Sequence, residues 1–508
     1  MILFLVLFYC AQKEGYFLDE IYSYGLANSE NHPFLWNIVS DNNIVTRQTL
    51  FDYITVNQDK FNYVSVYCNQ IPDVHPPLFY FLLHTVSSFF PNTFSKWIGL
   101  SLNIIIFILT LFVLYKTAAA LFHSKEISGF VVVLYGLSTI AISTVIMIRM
   151  YMLLTLFTTL LVYEFVQFLN GKNNYISILI VIYLGMMTQY FFAFFTLFLC
   201  ICTGIYLLKK KEYRRLLLLF ISCVAAVMLL FLTFPACISQ LTANKGPSGN
   251  GVISRLKDVG SYKGRIIAFS KFVYHGMFAA GIIFLLIVVC GLVYHLLNRK
   301  NKVSMPSNDS GRIILILLLA FIPSFLLISI VSPYQKERYI YHIIPLTVLF
   351  IGFALYYFNY PEKIYKWLMI IALPLSYYGT IRYQPDNLYK SDKQYIQELS
   401  SYTDDPCIYI QAYNSNPPIT QDLVFLLQFD EVFLTEKLPT EKLDSFIEAH
   451  KNADHLVVFI GEYPKDQDES ELLKSIQKLY GYESVENKYL NKTSFSKTYV
   501  LSKSDNNN

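Results

Sequence analysis

The chain has 508 residues, of which 54% are apolar and only 15% charged, where an average soluble domain carries about 25% charged residues. That balance excludes a soluble protein of about three domains and makes this a polytopic membrane protein. The net charge of +4 hides an uneven distribution: from Asp386 onward acidic residues outnumber basic ones by roughly nine, so the preceding part is strongly basic.

A bilayer core takes about 20 apolar residues per helix. Residues 1–11 fall short of a span and of a cleavable signal, and the expectation is that the true start lies upstream and the first helix is truncated. Residues 76–90 are also short for a crossing, and predict a re-entrant or interfacial helix opened by Pro76 and Pro77. Full spans are expected over 97–122, 127–147, 150–169, 190–208, 214–237, 270–297, 312–332, 339–358 and 364–380, with 175–187 as a shorter candidate. The fold class is therefore an all-α membrane protein of about 11 to 13 helices, with a transmembrane domain over 1–383 whose first outer loop is 12–96.

Lys and Arg in short loops set orientation. The clusters at 209–215 and 299–302 are the strongest, so both are expected in the cytoplasm. Counting spans from them places the loops at 148–151, 188–190, 239–269 and 332–339, and the acidic tail, outside. In the tail, 384–508, the apolar runs 407–410 and 455–460 read as buried strands. Leu472, Leu473, Ile476, Leu479 and Tyr480 repeat at helical spacing before a capping Gly481, and 444–450 belongs to another helix. The tail is thus a small extracytoplasmic α/β domain. The cysteines at 10, 68, 200, 202, 223, 237, 290 and 407 show no zinc or redox spacing and read as buried small apolar residues.

Ionisable groups at the rim of spans are the default functional candidates, because burying them in lipid is costly. Asp19 and Glu20, framed by Phe17, Tyr22 and Tyr24, offer a general base with a metal or hydrogen-bonding partner, or else the solvated start of an interfacial helix. Asp73 suits the N-terminal end of the short helix it precedes, and His75 is the residue that reading leaves unexplained. Arg149 with Tyr151, and Lys336 with Arg338 and Tyr339, put basic residues at outer helix ends, against the usual inward bias, and so suggest an anionic ligand. Gln189 and Tyr190 are weaker candidates, with packing the plainer role.

Taken in order, Leu18, Asp19 and Glu20, then Asp73, His75, Pro76, Pro77 and Leu78, then Arg149 and Tyr151, then Arg338 and Tyr339, resemble the C-type (GT-C) superfamily of integral-membrane glycosyltransferases. The likeness is to bacterial relatives of the protein O-mannosyltransferases and the lipid A aminoarabinose transferases (glycosyltransferase family 39), and covers about residues 1–350. It implies inverting transfer of a sugar, a hexose or pentose, from a polyprenyl-phosphate carrier to an acceptor hydroxyl outside the plasma membrane. The acceptor would be a cell-envelope glycan, a glycolipid or a protein, and no nucleic acid is involved. Asp19 matches the family's catalytic acid and would be the general base, Glu20 would position it or the acceptor, and Arg149 and Arg338 would hold the carrier phosphate. Asp73 and His75 would order the first loop. Several relatives carry an acidic residue shortly after the Arg-x-Tyr element; none occurs here before Glu164, so metal-independent chemistry is expected, with a divalent metal as the alternative. Competing readings are a lipid or solute transporter or flippase without chemistry, which would place polar groups at the midplane, and an O-antigen-type ligase, which the basic loop at 239–269 (Lys245, Arg255, Lys257, Lys263, Arg265) keeps open.

Overall fold

The computed structural model describes residues 1–242, 252–297, 308–358, 360, 362–411, 417–436, 438, 440–461, 469–482, 488–492 and 496–503. The basic cluster at 299–302 and Lys245 lie outside these residues. The described chain forms two compact units, one comprising Met1–Ala11, Asp73–Phe79 and Gly99–Asp386, the other Gln12–Pro72, Tyr80–Ile98 and Asn387–Asn508.

The first unit is helical. Among the described residues, 6 helices are long and apolar enough to cross a membrane, or up to 8 if each of two bent pairs is one span. The six are Lys96–Phe122, Tyr151–Leu169, Phe192–Lys209, Tyr213–Thr233, Asp309–Val331 and Tyr341–Phe358. The helices Ile2–Ala11, Leu78–Phe89 and Tyr175–Met186 are apolar but shorter. Where one unbroken span was expected over 127–147, the chain breaks into Lys125–Gly136 and Thr139–Ile146, bent by 59°. Ser138 supplies the reason: its hydroxyl accepts from Ala141 N–H and so starts a new helix in mid-run. The expected span over 270–297 likewise bends by 84° between Gly276 and Phe278. There Gly276 packs against Ile140 so closely that an added Cβ would sit 2.6 Å from that residue's own Cβ. In helix Tyr213–Thr233, Phe220, Met228 and Leu232 stay exposed, an apolar face suited to lipid rather than water.

The second unit is built on a six-stranded sheet. Its strands are β1 (Asn43–Thr46), β2 (Cys407–Ile410), β3 (Glu431–Thr435), β4 (His455–Gly461), β5 (Lys488–Lys492) and β6 (Ser496–Ser502), in the order β1-β3-β2-β4-β6-β5. The central strands β2, β3 and β4 are parallel neighbours, as helices between consecutive strands require. Ile408, Ile410, Val458 and Ile460 pack on the helices Glu441–Ala449 and Glu469–Tyr480 on one face. Tyr409 turns to the other, where it stacks on Phe459 and donates to Asp422 at 3.0 Å. Burial on both faces explains why β2 and β4 read as unbroken apolar runs. Thr440 caps the first of those helices through Leu443 N–H, and Gly481 ends the second with φ +69°.

Strand β1 comes from the segment between the first two long apolar stretches, hundreds of residues upstream of its antiparallel partner β3. Around it, Arg47 bonds Gln428 O at 2.8 Å, Glu436 N–H reaches Asp41 at 2.8 Å and Thr440 reaches Asn42 at 2.6 Å. The segment bearing β1 and the tail therefore share one sheet. The cysteines divide: Cys10, Cys237 and Cys407 are buried as expected, whereas Cys68 and Cys290 are exposed.

Candidate active site

Asp19 and Glu20 begin the helix Leu18–Asn28, but their surroundings differ. Asp19 is half-buried, while Glu20 has no solvent exposure. Glu20 Oε2 accepts from Lys13 Nζ at 2.9 Å and from Phe17 N–H at 2.7 Å, the second bond satisfying a donor just before the helix's first turn. Lys13 is equally buried and also donates to Asn387 O at 2.8 Å, while Glu14 N–H bonds Leu388 O at 2.8 Å. Gln421 donates to Tyr16 O at 3.2 Å. The turn presenting Asp19 is thus tied to the tail by side chains and backbone alike. Burial, followed by the charges of Tyr24 and Glu20, pushes the Tyr16 phenol well above its ordinary range, so Tyr16 stays neutral.

In the helical unit, Asp73, His75 and Arg149 come together. Asp73 Oδ2 lies 3.1 Å from His75 Nδ1, and Arg149 Nη2 lies 3.4 Å from the same nitrogen. One ring nitrogen cannot donate to the carboxylate and accept from the guanidinium at once. Asp73 therefore accepts the hydrogen bond from His75 Nδ1–H, and Arg149 acts as a neighbouring charge. Burial works to raise the Asp73 carboxyl, but the charge and hydrogen bond of His75, aided by Arg149, hold it below its ordinary value. Asp73 remains ionised and orients the imidazole.

Arg149 is 4% exposed, and its placement follows from an asparagine within the apolar run 97–122. Asn103 Nδ2 donates to Val145 O at 2.9 Å and Met147 O at 2.8 Å, satisfying carbonyls left over where helix Thr139–Ile146 ends. The chain then turns, with Arg149 N–H on Met147 O at 2.8 Å, before helix Tyr151–Leu169 begins. Tyr151 is buried, edge-on to Tyr341.

Leu78 N–H bonds Met187 O at 3.1 Å and brings the 187–190 turn beside this cluster. Gln189 is buried and accepts from Phe191 N–H at 3.1 Å, so its carbonyl holds the turn. Tyr190 donates to Gln240 at 2.6 Å, and burial, then Cys237 and Asp73, raise its phenol.

Lys336 is exposed, and Arg338 lies over the ring of Tyr339, 5.4 Å from its centroid. Tyr339 in turn packs on Phe191. Between the two cations, Glu337 is raised well above the carboxylate range by burial, then by the charge of Asp386 and a hydrogen bond to it. Tyr341 donates to Glu337 Oε1 at 2.5 Å. Burial and Asp386 thus work against a negative charge on Glu337 between the two cations. The sequence reading passed over Lys13, Asn103 and Glu337; a polar residue in an apolar run was the available signal for Asn103. Among the described residues no three His, Cys, Asp or Glu side chains gather as a metal site.

Residues 74–238, less than half of the chain, match the family described as dolichyl-phosphate-mannose-protein mannosyltransferase. Among curated proteins, none matches the chain. Similar solved structures include ArnT from Cupriavidus metallidurans in the apo state, 10% identical with a TM-score of 0.49, the match covering 88% of this chain and 94% of that one. The same protein bound to undecaprenyl phosphate matches over the same shares at 10% identity and a TM-score of 0.47. The archaeal oligosaccharyltransferase AglB from Archaeoglobus fulgidus, in complex with an inhibitory peptide and a dolichol-phosphate, is 10% identical with a TM-score of 0.44, over 90% of this chain and 68% of that one.

Proposed function

We propose, from the premise of a resemblance to the C-type integral-membrane glycosyltransferases, that this multi-pass membrane protein transfers a sugar from a polyprenyl-phosphate carrier to an acceptor hydroxyl. The observation that carries this reading is the buried Arg149 beside the Asp73–His75 pair, His75 and Arg149 both falling in the segment 74–238 that matches the mannosyltransferase family. An arginine so fixed, with Lys336 and Arg338 as further cations, suits a phosphate through charge-assisted hydrogen bonds.

Asp19 is assigned as general base. It takes the acceptor proton as the acceptor oxygen attacks the anomeric carbon; the bond from that carbon to the phosphate oxygen breaks, and the configuration inverts. Arg149 and Arg338 are assigned to stabilise the charge developing on the leaving phosphate. Glu20 is assigned a positioning role, since its carboxylate is already committed to Lys13 and Phe17. The basic loop at 209–215 supports a cytoplasmic side for that end of its helices and an extracytoplasmic side for the unit bearing Asp19. There the acceptor would be a glycan, glycolipid or protein of the cell envelope.

The test is release of polyprenyl phosphate from a polyprenyl-phosphate hexose or pentose by the protein in lipid nanodiscs. Wild type releases it in the presence of extracted envelope material, and Arg149→Ala loses about 100-fold or more, the usual scale for removing one such donor. Equal turnover by Arg149→Ala would count against the assignment.

A further inference from the structure

The acceptor is open in this reading, and the loop that follows the Asp19 helix bears on its chemistry. After helix Leu18–Asn28 the chain makes one 3-10 turn, Leu35–Asn37. Asn37 N–H to Phe34 O at 3.0 Å and Phe34 N–H to Asn37 Oδ1 at 3.2 Å close it. Leu35 is fully buried and pins the turn. Its neighbours Phe34 and Trp36 stack face to face, centroids 4.3 Å apart and 8° from parallel. Tyr22 meets both edge-on, at 6.1 and 6.3 Å. Tyr22 follows Asp19 by three residues on one helix, so the two side chains are surface neighbours.

The rings are held in place from below. Tyr53 is buried in the space left by Gly25, where an added Cβ would lie 2.1 Å from the Tyr53 ring, and its hydroxyl donates to Pro33 O at 3.3 Å, one residue before Phe34. Ser29 Oγ donates to His32 O. Ordering of the stack therefore precedes any ligand, which lowers the entropy cost of binding.

Tyr22, Phe34 and Trp36 are each half-buried, and Asn31, His32 and Asn37, in the same short loop as Phe34 and Trp36, are exposed. Aromatic faces carry negative charge density that attracts the polarised C–H groups on the apolar face of a pyranose. The exposed amide and imidazole groups of this loop, including the Asn37 amide nitrogen, offer donors and acceptors for its hydroxyls. An acyl chain would gain nothing from that polar rim. We propose that Tyr22, Phe34 and Trp36 form an acceptor subsite that takes a pyranose ring, making the acceptor a saccharide, either a glycan or the sugar of a glycolipid. This rests on Asp19 being the base that the acceptor hydroxyl must reach.

Trp36 can report its own occupancy, because the other two tryptophans, Trp97 and Trp367, can be replaced by Phe. Full-length Trp97→Phe/Trp367→Phe protein in nanodiscs is titrated with maltohexaose, cellohexaose and chitohexaose, with a serine-rich peptide, and with phosphatidylethanolamine–phosphatidylglycerol vesicles. The expected result is a saturable Trp36 emission change with at least one oligosaccharide, weakened about five- to ten-fold by Phe34→Leu. Phe34→Leu keeps the apolar bulk; an unchanged thermal transition confirms that it is folded. Response to no oligosaccharide, to peptide or vesicles alone, or equally in Phe34→Leu overturns the subsite. In Asp19→Asn the titration stays the same, so failure of the base assignment and failure of the subsite give different results.

Discussion

Replacing Lys13 with Met removes one half of an ion pair in which neither side chain is exposed. At the observed 2.9 Å, an effective dielectric of about 20 gives roughly 6 kcal/mol of attraction, most of it offset by the desolvation of both ions. Removing the lysine leaves the Glu20 carboxylate buried with its desolvation cost and without the cation that offsets it, the Phe17 N–H bond remaining. Breaking a buried pair in this way costs about 3–5 kcal/mol, which raises the opening equilibrium of the unit by about two to four powers of ten. Native-state proteolysis of the protein in nanodiscs reads that equilibrium when opening and closing are fast relative to cleavage. In Lys13→Met/Glu20→Gln the amide oxygen still accepts from Phe17 N–H and no charge is stranded, so stability returns to within about 1 kcal/mol of wild type. A single variant as protected as wild type, or a double variant as labile as the single, would refute the reasoning.

Gly25→Ala forces a methyl group against the Tyr53 ring, where the built Cβ lies 2.1 Å away; overpacking of this kind costs about 1–3 kcal/mol, and Tyr53→Leu should restore part of it in the same proteolysis assay. Asp392 has its carboxyl pushed up to about 6 from 3.8, by burial above all. Between those two values the folded state binds more protons than the unfolded one, so stability falls as pH rises through the window. Asp392→Asn should therefore be more stable than wild type at pH 7.5, with the advantage shrinking towards pH 4; thermal transitions at both pH values check this, and a pH-independent difference would contradict it.

Most spans were legible because lipid demands about 20 apolar residues whatever their order, whereas the expected span 364–380 falls in helix Glu362–Arg382, which is not among the described helices long and apolar enough to cross. The bends were not legible, since Ser138 and Gly276 act through one hydroxyl bond and one close contact that hydropathy averages away. Strands β2 and β4 announced themselves as apolar runs, whereas β1 buries only Val45 of its four residues and takes its meaning from a partner far along the chain. The same distance hid Lys13: seven residues from Glu20 and bonded to Asn387 O, it carries no local pattern. Asp73, His75 and Arg149 were each visible as polar residues at helix ends, but the pairing of Asp73 with His75 and the approach of Arg149 to that ring needed the folded chain. The partition between Asp19 and Glu20 did not, because adjacent carboxylates look alike until one is found buried and paired.

The most direct test of the assignment of Asp19 as base is sugar transfer by Asp19→Asn in nanodiscs, from a polyprenyl-phosphate-linked sugar to extracted envelope acceptor, with carrier binding measured alongside. The account predicts transfer reduced by about 100-fold or more, on the scale of general base catalysis, with carrier binding and membrane insertion intact. Transfer by Asp19→Asn at the wild-type rate would contradict it.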